Sequence, residues 1–170
     1  MGFNSTQKFS GALREANKRA GNDAKIWGGL FASDPNKSFG GRVWETISRF
    51  TWQLPQTGLG FLWNQLNNSV GRVEDVEYFH GATYVVGAAR GGRAVTLGSY
   101  VSISPNWDDP QHQSEIRIGE GSYTTMHEYG HYLQSQKSGL LYLFKYGIPS
   151  AFGDANWTEI DANIHHGKKK

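Results

Sequence analysis

The chain has 170 residues, the size of one domain, and its formal net charge at pH 7 is only +2. The small charge, with no basic stretch interleaved with aromatic residues, argues against nucleic acid as a partner. Because the sequence contains no cysteine, disulfides and thiolate ligands are excluded, and any metal site must use histidine and carboxylate side chains. We expect a single domain over residues 1–170, with a loose polar segment at 1–24 and a loose basic tail at 164–170.

Neither a signal peptide nor a membrane-spanning segment is visible in the sequence. Residues 1–24 are polar and lack the apolar core of a signal peptide. The longest apolar stretch, residues 140–152, is interrupted by Lys145, Gly147 and Pro149 and is too short to cross a bilayer. Localisation is left open, since the chain can be cytoplasmic or be exported as part of a larger protein.

Three helices are predicted in the N-terminal part of the chain. Residues 5–20 predict a polar helix, and residues 28–41 predict a loop. Apolar residues at helical spacing predict a second helix over Arg42–Gln53, and Pro55 suits the first turn of a third. The expected buried side of this third helix is Leu59, Leu62, Trp63 and Leu66. The tryptophans expected to pack in the core or between helices are Trp44, Trp52 and Trp63.

A small, mostly antiparallel sheet is predicted after these helices. Val73–Tyr78 predicts a first strand, and Ala82–Val86 and Ala94–Ile103 predict a hairpin around a glycine-rich loop. That loop leads into a strand and lacks a Gly-Lys-Ser/Thr ending, which excludes a phosphate-binding loop. Residues 113–118 predict a further short strand.

The next predicted element is a helix over Tyr123–Ser138. Ser122 is the preferred N-cap, and Gly139 is the expected helix stop. Inside this helix Gly130 costs about 1 kcal/mol relative to alanine, which indicates that another element packs closely against it. Leu140–Tyr146 predicts a buried helix behind the first one.

Residues 127–131 read His-Glu-Tyr-Gly-His and carry most of the functional information in the sequence. On a helix, His127 and His131 project from one face, where two imidazoles can share one zinc ion. Glu128 lies about 100° further round the helix, too far to bind the same ion but able to reach a water bound to it. The composition gives roughly 0.01 chance matches to this pattern in the whole chain, so coincidence is a poor explanation.

A catalytic zinc site needs a third protein ligand and one open position. Glu159, on a second short helix, is the expected third ligand because enough chain separates it from the first helix for a reversal. Asp161 is the alternative, and since it lies about 200° from Glu159 on a helix, only one of the two can serve. His165 and His166 adjoin the basic tail and are poor candidates.

Several strings around this motif resemble a known family. They are Tyr129–Gln136, Gly139–Ser150, Trp157–Glu159, Ala162–Asn163 and, upstream, Phe50–Gln56, Gly81–Tyr84 and Leu97–Tyr100. As a set, over most of residues 50–163, they resemble a metallopeptidase-like domain of Bacteroidetes proteins, found among other places in C-terminal parts of Rhs/YD-repeat proteins. The resemblance implies a gluzincin-type zincin domain with zinc on His127, His131 and Glu159 and with Glu128 as the base. After Asn163 the family pattern continues as a longer basic helix, from which this chain departs.

The sequence therefore predicts an α+β, zincin-like zinc metalloendopeptidase with N-terminal helices, a small sheet, a zinc-binding helix and a closing helical segment. Zinc is expected to polarise a peptide carbonyl and acidify a bound water, whose proton Glu128 accepts. Tyr142, Tyr146 and His165 are conceivable oxyanion donors, and no spacing favours one of them.

Two features of the predicted function stay open at this point. In zincins a sheet edge beside the zinc helix holds an extended substrate, and the candidates are Val101–Ile103 and Ile116–Ile118, which can equally be interior strands. A non-catalytic zinc-binding or interaction module within a larger Rhs-like carrier polypeptide is the alternative function. A toxin-like effector released from such a carrier would still be a hydrolase.

Overall fold

The computed structural model describes residues 5–91, 93–105, 118–119, 123–151 and 156–165, and the fold within these ranges is α+β, as predicted. The helices are α1 (Ser5–Gly28), α2 (Phe39–Phe50), α3 (Leu54–Ser69), α4 (Tyr123–Ser138), α5 (Ile148–Ala151) and α6 (Asn156–His165). The strands are β1 (Asp75–Phe79), β2 (Ala82–Val86), β3 (Ala94–Leu97) and β4 (Tyr100–Ile103). A 3₁₀ turn (Gly139–Leu141) and a π-helical turn (Leu143–Gly147) join α4 to α5. Of the helices in these ranges, none combines the length and the apolar character that a membrane crossing needs.

The strands form one sheet in the order β1–β2–β4–β3. The prediction that Ala82–Val86 and Ala94–Ile103 form one hairpin is wrong, because β2 pairs with β4 in parallel. The second run is itself a hairpin, in which Gly98 and Ser99 turn β3 back onto antiparallel β4. Gly98 has a φ of 62°, the conformation that a two-residue hairpin turn needs at this position. β1 also pairs antiparallel with β2, so the sheet is mostly antiparallel, as predicted.

The strand order corrects one expectation about the substrate edge. Val101–Ile103 is in β4, which lies inside the sheet between β2 and β3, so it is not an edge. In the described part of the sheet, β3 forms the edge that contacts α4. Residues 113–117 lie outside the described residues, as does most of the second candidate, Ile116–Ile118.

Helices cover both faces of the sheet. One face packs against α1 and α3, with a buried cluster of Ile26, Val73, Val76, Val85, Ala88 and Tyr100. The opposite face packs against α4, with a buried cluster of Ala82, Tyr84, Val101, Ile103 and Tyr132. Along β2, Val85 points to the first face and Tyr84 to the second, as the alternation of a strand requires. The sheet therefore supports α4, the helix that carries the histidine pentapeptide.

The inner side of α3 is mostly polar apart from Phe61, which packs against the cluster around Tyr100, and the predicted buried side of α3 is wrong. Leu59, Leu62, Trp63 and Leu66 are between 46% and 63% exposed. The buried residues of α3 are instead Gln56, Thr57, Gly60, Asn64, Asn67 and Asn68. Asn64 accepts a hydrogen bond from Ser102 on β4 at 3.0 Å, and Gln56 donates to the carbonyl of Gly139 at 2.7 Å. The spacing of apolar residues thus identified an apolar face on α3, but that face points to solvent and not to the core.

The three tryptophans expected in the core or between helices lie between elements and near the surface. Trp44 and Trp63 are 61% and 46% exposed, so neither is a core residue. The ring of Trp52 lies 5.0 Å from that of Trp44, and its indole N–H donates to the carbonyl of Gln136 at 3.0 Å. Trp52 therefore connects the turn between α2 and α3 to the end of α4.

The chain after α4 also differs from the prediction. α4 has the predicted bounds, and Gly139 at a φ of 54° ends it. The expected buried helix over Leu140–Tyr146 is replaced by the 3₁₀ and π-helical turns. Tyr142 and Tyr146 are buried there, whereas Leu140, Leu141 and Phe144 are between 57% and 72% exposed. This segment therefore buries its tyrosines against the protein and exposes its leucines and Phe144 to solvent.

Candidate metal centre

Three side chains that can bind a metal meet where α4 packs against α6. His127 and His131 lie one turn apart on α4, with ring centroids 4.8 Å from each other. From α6, Oε2 of Glu159 lies 2.9 Å from Nε2 of His127 and 3.4 Å from Nε2 of His131. One ligand atom from each residue falls within 4.8 Å of the other two. The structure therefore brings together the three residues that the sequence predicts as ligands.

The residues of this group fit a zinc ion. Zinc–ligand distances of about 2.0–2.1 Å in a tetrahedral site separate neighbouring ligand atoms by roughly 3.3 Å. The distances of 2.9 and 3.4 Å from the carboxylate oxygen to the two imidazole nitrogens are close to that value. Two imidazoles and one carboxylate also leave one position of a tetrahedron open, as a catalytic site requires.

Gln134 holds His131 in the orientation that a ligand needs. Oε1 of Gln134 lies 2.8 Å from Nδ1 of His131, which requires the proton on Nδ1 and directs Nε2 towards Glu159. The amide nitrogen of Gln134 donates to Oδ2 of Asp161 at 3.0 Å. Asp161, the alternative third ligand, therefore contacts the residue that supports His131, and the cluster around the two histidines contains Glu159.

The surroundings of His131 favour positive charge. Burial by itself would lower the pKa of this imidazole, because the residue is only 7% exposed. Hydrogen bonds with Glu159 and Gln134 and the charge of Glu128 outweigh burial, so the pKa lies above its ordinary value. An environment that stabilises a proton on the imidazole also stabilises a metal cation in its place.

The close contact that brings Glu159 to the histidines depends on Gly130. A Cβ atom at Gly130 would lie 2.1 Å from the carbonyl oxygen of Ala162 and 2.7 Å from its carbonyl carbon. Ala162 is fully buried, so the backbone of α6 lies directly on α4 at this point. The prediction that another element packs against Gly130 is confirmed, and that element is α6, which carries Glu159.

Glu128 is buried next to the metal-ligand group and is held by the edge strand. It is 5% exposed, and its Oε2 accepts a hydrogen bond from the hydroxyl of Thr96 on β3 at 2.5 Å. Thr96 is itself 6% exposed. A carboxylate fixed in this way has one defined orientation, which a general base needs. Nothing in the sequence pattern pointed to Thr96, because the contact depends on which strand forms the edge.

Two buried tyrosines, Tyr142 and Tyr146, lie near Glu128 and Glu159. The hydroxyl of Tyr142 donates to the backbone carbonyl of Thr96 at 3.4 Å. Burial raises the pKa of Tyr142, and the charges of Glu128 and Glu159 raise it further, so this phenol remains a proton donor at neutral pH. The ring of Tyr146 stacks on that of Tyr142 with centroids 5.8 Å apart. The side chain of His165, the third candidate donor, lies outside the described residues.

Buried charges connect α4 to α2. The hydroxyl of Tyr132 on α4 donates to Oε1 of Glu45 at 2.9 Å, and Arg49 donates to the same hydroxyl at 3.4 Å. Glu45 also accepts hydrogen bonds from Lys37 at 2.8 Å and from the amide of Asp34 at 2.9 Å. These bonds anchor the histidine-bearing helix at a residue adjacent to His131.

The comparisons with known proteins add no relative. No family model, no curated protein and no solved structure matches the chain.

Proposed function

We propose that the chain is a zinc-dependent metallopeptidase that hydrolyses peptide bonds of a peptide or protein substrate. The observation that carries the proposal is the convergence of His127, His131 and Glu159 next to a buried Glu128. This combination of two histidines one turn apart, a third ligand from another helix and an adjacent carboxylate is what metal-assisted peptide hydrolysis uses. The resemblance of the sequence to metallopeptidase-like domains of Rhs-associated proteins supports the same assignment and a larger carrier polypeptide.

The proposed roles of the residues follow from their surroundings. His127, His131 and Glu159 would hold the zinc ion. Zinc, when bound, supplies a Lewis acid that polarises the scissile carbonyl and makes a neighbouring water more acidic. Glu128 accepts the proton of the attacking water and then delivers it to the leaving amine, so its position next to the ligand group is essential.

Two further residues have proposed roles, Thr96 in positioning the base and Tyr142 in stabilising the oxyanion. Thr96 orients Glu128 through the hydroxyl-to-carboxylate hydrogen bond of 2.5 Å. Tyr142 is our candidate for the donor that steadies the oxyanion, because its neutral phenol lies near the charges of both Glu128 and Glu159. Its present partner is a long bond of 3.4 Å to a carbonyl, which it can exchange for a substrate oxygen.

Peptide cleavage by Glu128→Gln tests the proposed function. The glutamine keeps the shape of the side chain but removes the base, so zinc content and melting temperature stay unchanged while cleavage of a peptide library falls about 10²–10⁴-fold. Glu74→Gln, the same chemical change at an exposed position, is the matched control and retains full activity.

Two outcomes would contradict the proposal. Equal cleavage by wild type and Glu128→Gln would exclude Glu128 as the base. A wild-type protein that binds zinc but cleaves no peptide in a broad library would favour the alternative, a non-catalytic zinc-binding module within a larger polypeptide.

A further inference from the structure

The outer sides of α2, α3 and the segment 139–148 carry large apolar side chains in contact with solvent, and we call this set the apolar surface. Its large hydrophobic residues are between 40% and 77% exposed. The six most exposed are Phe39, Trp44, Leu62, Leu66, Leu141 and Phe144. Soluble proteins expose single apolar residues routinely, but α2 and α3 expose most of their large apolar side chains and bury mainly polar ones, which indicates a surface that binds a partner.

The three segments of the apolar surface adjoin one another. The ring of Trp52, in the turn between α2 and α3, lies 5.0 Å from that of Trp44. The same ring lies against Gly139, where a Cβ would be 2.7 Å from it. Gln56 on the inner side of α3 donates to the carbonyl of Gly139 at 2.7 Å, which fixes the 3₁₀ turn against α3. The three segments that carry the exposed side chains are therefore neighbours in the fold.

The exposed charges of residues 39–70 and 137–151 have one sign. Within residues 39–70 and 137–151 the exposed charged residues are Arg42, Lys137 and Lys145. The only carboxylate in these ranges is Glu45, which is 2% exposed and accepts a hydrogen bond from Lys37. An ordinary solvated helix face mixes acidic and basic residues, whereas this one combines tryptophan, phenylalanine and leucine with basic residues alone.

We propose that the apolar surface docks on an anionic lipid bilayer and lies within its interface. Helices that bind there present tryptophan, phenylalanine and leucine to the acyl boundary and basic residues to anionic headgroups. A second copy of the chain fits less well, because it would add its own Arg42, Lys137 and Lys145 to a surface that, within residues 39–70 and 137–151, has no exposed carboxylate to pair with them. The proposal does not depend on zinc binding or on catalysis.

Docking in this way would place the candidate metal centre near the membrane surface. Tyr142 and Tyr146 lie on the inner side of the same segment that exposes Leu141 and Phe144. The ring of Tyr146 lies 5.3 Å from that of Trp157, one turn or less from Glu159 on α6. One side of the segment thus lines the site while the other belongs to the apolar surface.

Flotation with lipid vesicles tests the proposal. The full chain is mixed with vesicles of phosphatidylcholine containing about 30% phosphatidylserine and with vesicles of phosphatidylcholine alone. We expect wild type to float with the anionic vesicles, to float less with the neutral ones, and to be released in part by high salt. Wild type that stays unbound with anionic vesicles at low salt would overturn the proposal.

Matched variants separate docking from nonspecific stickiness. Leu59→Gln/Leu62→Gln/Leu66→Gln on α3 should reduce binding to anionic vesicles by at least about tenfold. Leu13→Gln is the control. Leu13 is as exposed as these leucines, at 52%, but it lies on α1, outside the apolar surface. Glutamine is a good helix former, so exposed positions tolerate it.

A charge-reversal pair keeps the test decisive if the triple variant fails to fold. Arg42→Glu/Lys145→Glu should bind anionic vesicles several-fold more weakly and neutral vesicles unchanged, while Lys18→Glu on α1 binds as wild type. Equal loss in Lys18→Glu would overturn the proposal, because total charge would then explain binding. A wild-type dimer that Leu62→Gln converts to monomer, without an effect on vesicle binding, would assign the surface to a second copy instead.

Discussion

At the scale of single residues, the candidate site involves Thr96 on the edge strand as well as the histidine pentapeptide. Its hydroxyl bonds Oε2 of Glu128 at 2.5 Å and approaches the backbone carbonyl of the same residue at 3.4 Å. The carbonyl of Thr96 accepts the hydroxyl of Tyr142. One residue of the edge strand therefore contacts both the proposed base and the proposed oxyanion donor.

Thr96→Val should lower kcat about tenfold and leave zinc content and KM nearly unchanged. Valine keeps the β-branched shape but removes the hydroxyl that orients Glu128, so only the proton-transfer step is affected. Thr96→Ser, which restores a hydroxyl, should recover most of the activity in the same peptide assay. A loss in Thr96→Ser as large as in Thr96→Val would indicate that packing, and not the hydrogen bond, accounts for the effect.

At the scale of elements, the site is assembled by the contact between α4 and α6. The bounds of α4 could be predicted because Gly139 and the local spacing define them within a few residues. The arrival of α6 could be inferred only indirectly, from a glycine in the middle of a helix. Which side chain of α6 points at the histidines is a tertiary property, and for that reason Asp161 remained an alternative to Glu159 in the sequence.

Gly130→Ala should weaken zinc binding by about 10–100-fold, the range seen when groups that support a metal ligand are lost. The added Cβ would lie 2.1 Å from the carbonyl oxygen of Ala162, so α6 must move and take Glu159 with it. Gly11→Ala on α1 is the matched control, because a Cβ there meets nothing within 4 Å. It should leave zinc binding unchanged and stabilise the helix slightly. Equal zinc affinity in both variants, measured by competition with a chelator, would contradict this account of the packing.

The orientation of α2 and α3 shows where sequence patterns fail. Both helices have clear apolar stripes, and burial of those stripes is the ordinary expectation. The structure turns them outward, because Glu45 and Arg49 on α2 and the amide side chains of α3 find buried partners on other elements. The spacing of apolar residues therefore predicts that a helix has an apolar face, but it does not tell whether that face points to the core or to solvent.

At the scale of the whole molecule, buried polar contacts link the N-terminal helices to α4, the helix that carries the two histidines of the candidate metal centre. Arg49, 1% exposed, donates to the carbonyls of Leu30 and Gly81 at 3.1 and 2.7 Å. Glu45 binds Tyr132 of α4 and Lys37. The class of fold and most helices were predictable, but this network was not, because its partners are between 8 and 91 residues apart along the chain.

The pH dependence of stability should report on Glu45. Burial alone would raise its pKa, but hydrogen bonds from Lys37, Asp34 and Tyr132 and the charge of Lys37 lower it below the ordinary value. A carboxyl group with a depressed folded pKa stabilises the fold fully above its unfolded pKa, near 4.3, and loses that contribution as pH falls through the folded value. In urea titrations below pH 5, Glu45→Gln should therefore lose stability less steeply than wild type.

Glu77→Gln provides a control of opposite sign for that experiment. Burial and the neighbouring Asp75 raise the pKa of Glu77. The ionised side chain therefore destabilises the fold, and its protonation at low pH removes that destabilisation. In Glu77→Gln the free energy of unfolding should therefore fall slightly more steeply with decreasing pH than in wild type. Identical slopes for wild type and Glu45→Gln would show that the buried network does not contribute through the charge of Glu45.

The measurement that tests the central claim most directly is the zinc content of purified protein, determined on wild type, Glu159→Gln and Asp161→Asn after dialysis against a fixed zinc concentration. We predict about one zinc per chain for wild type. Asp161→Asn should weaken the affinity for zinc by about 10–100-fold, because Asp161 supports His131 only through Gln134. Glu159→Gln should weaken binding by more than that, since it removes a ligand. Near-zero zinc in wild type, equal to that in His131→Ala, would contradict the account, as would full zinc binding by Glu159→Gln.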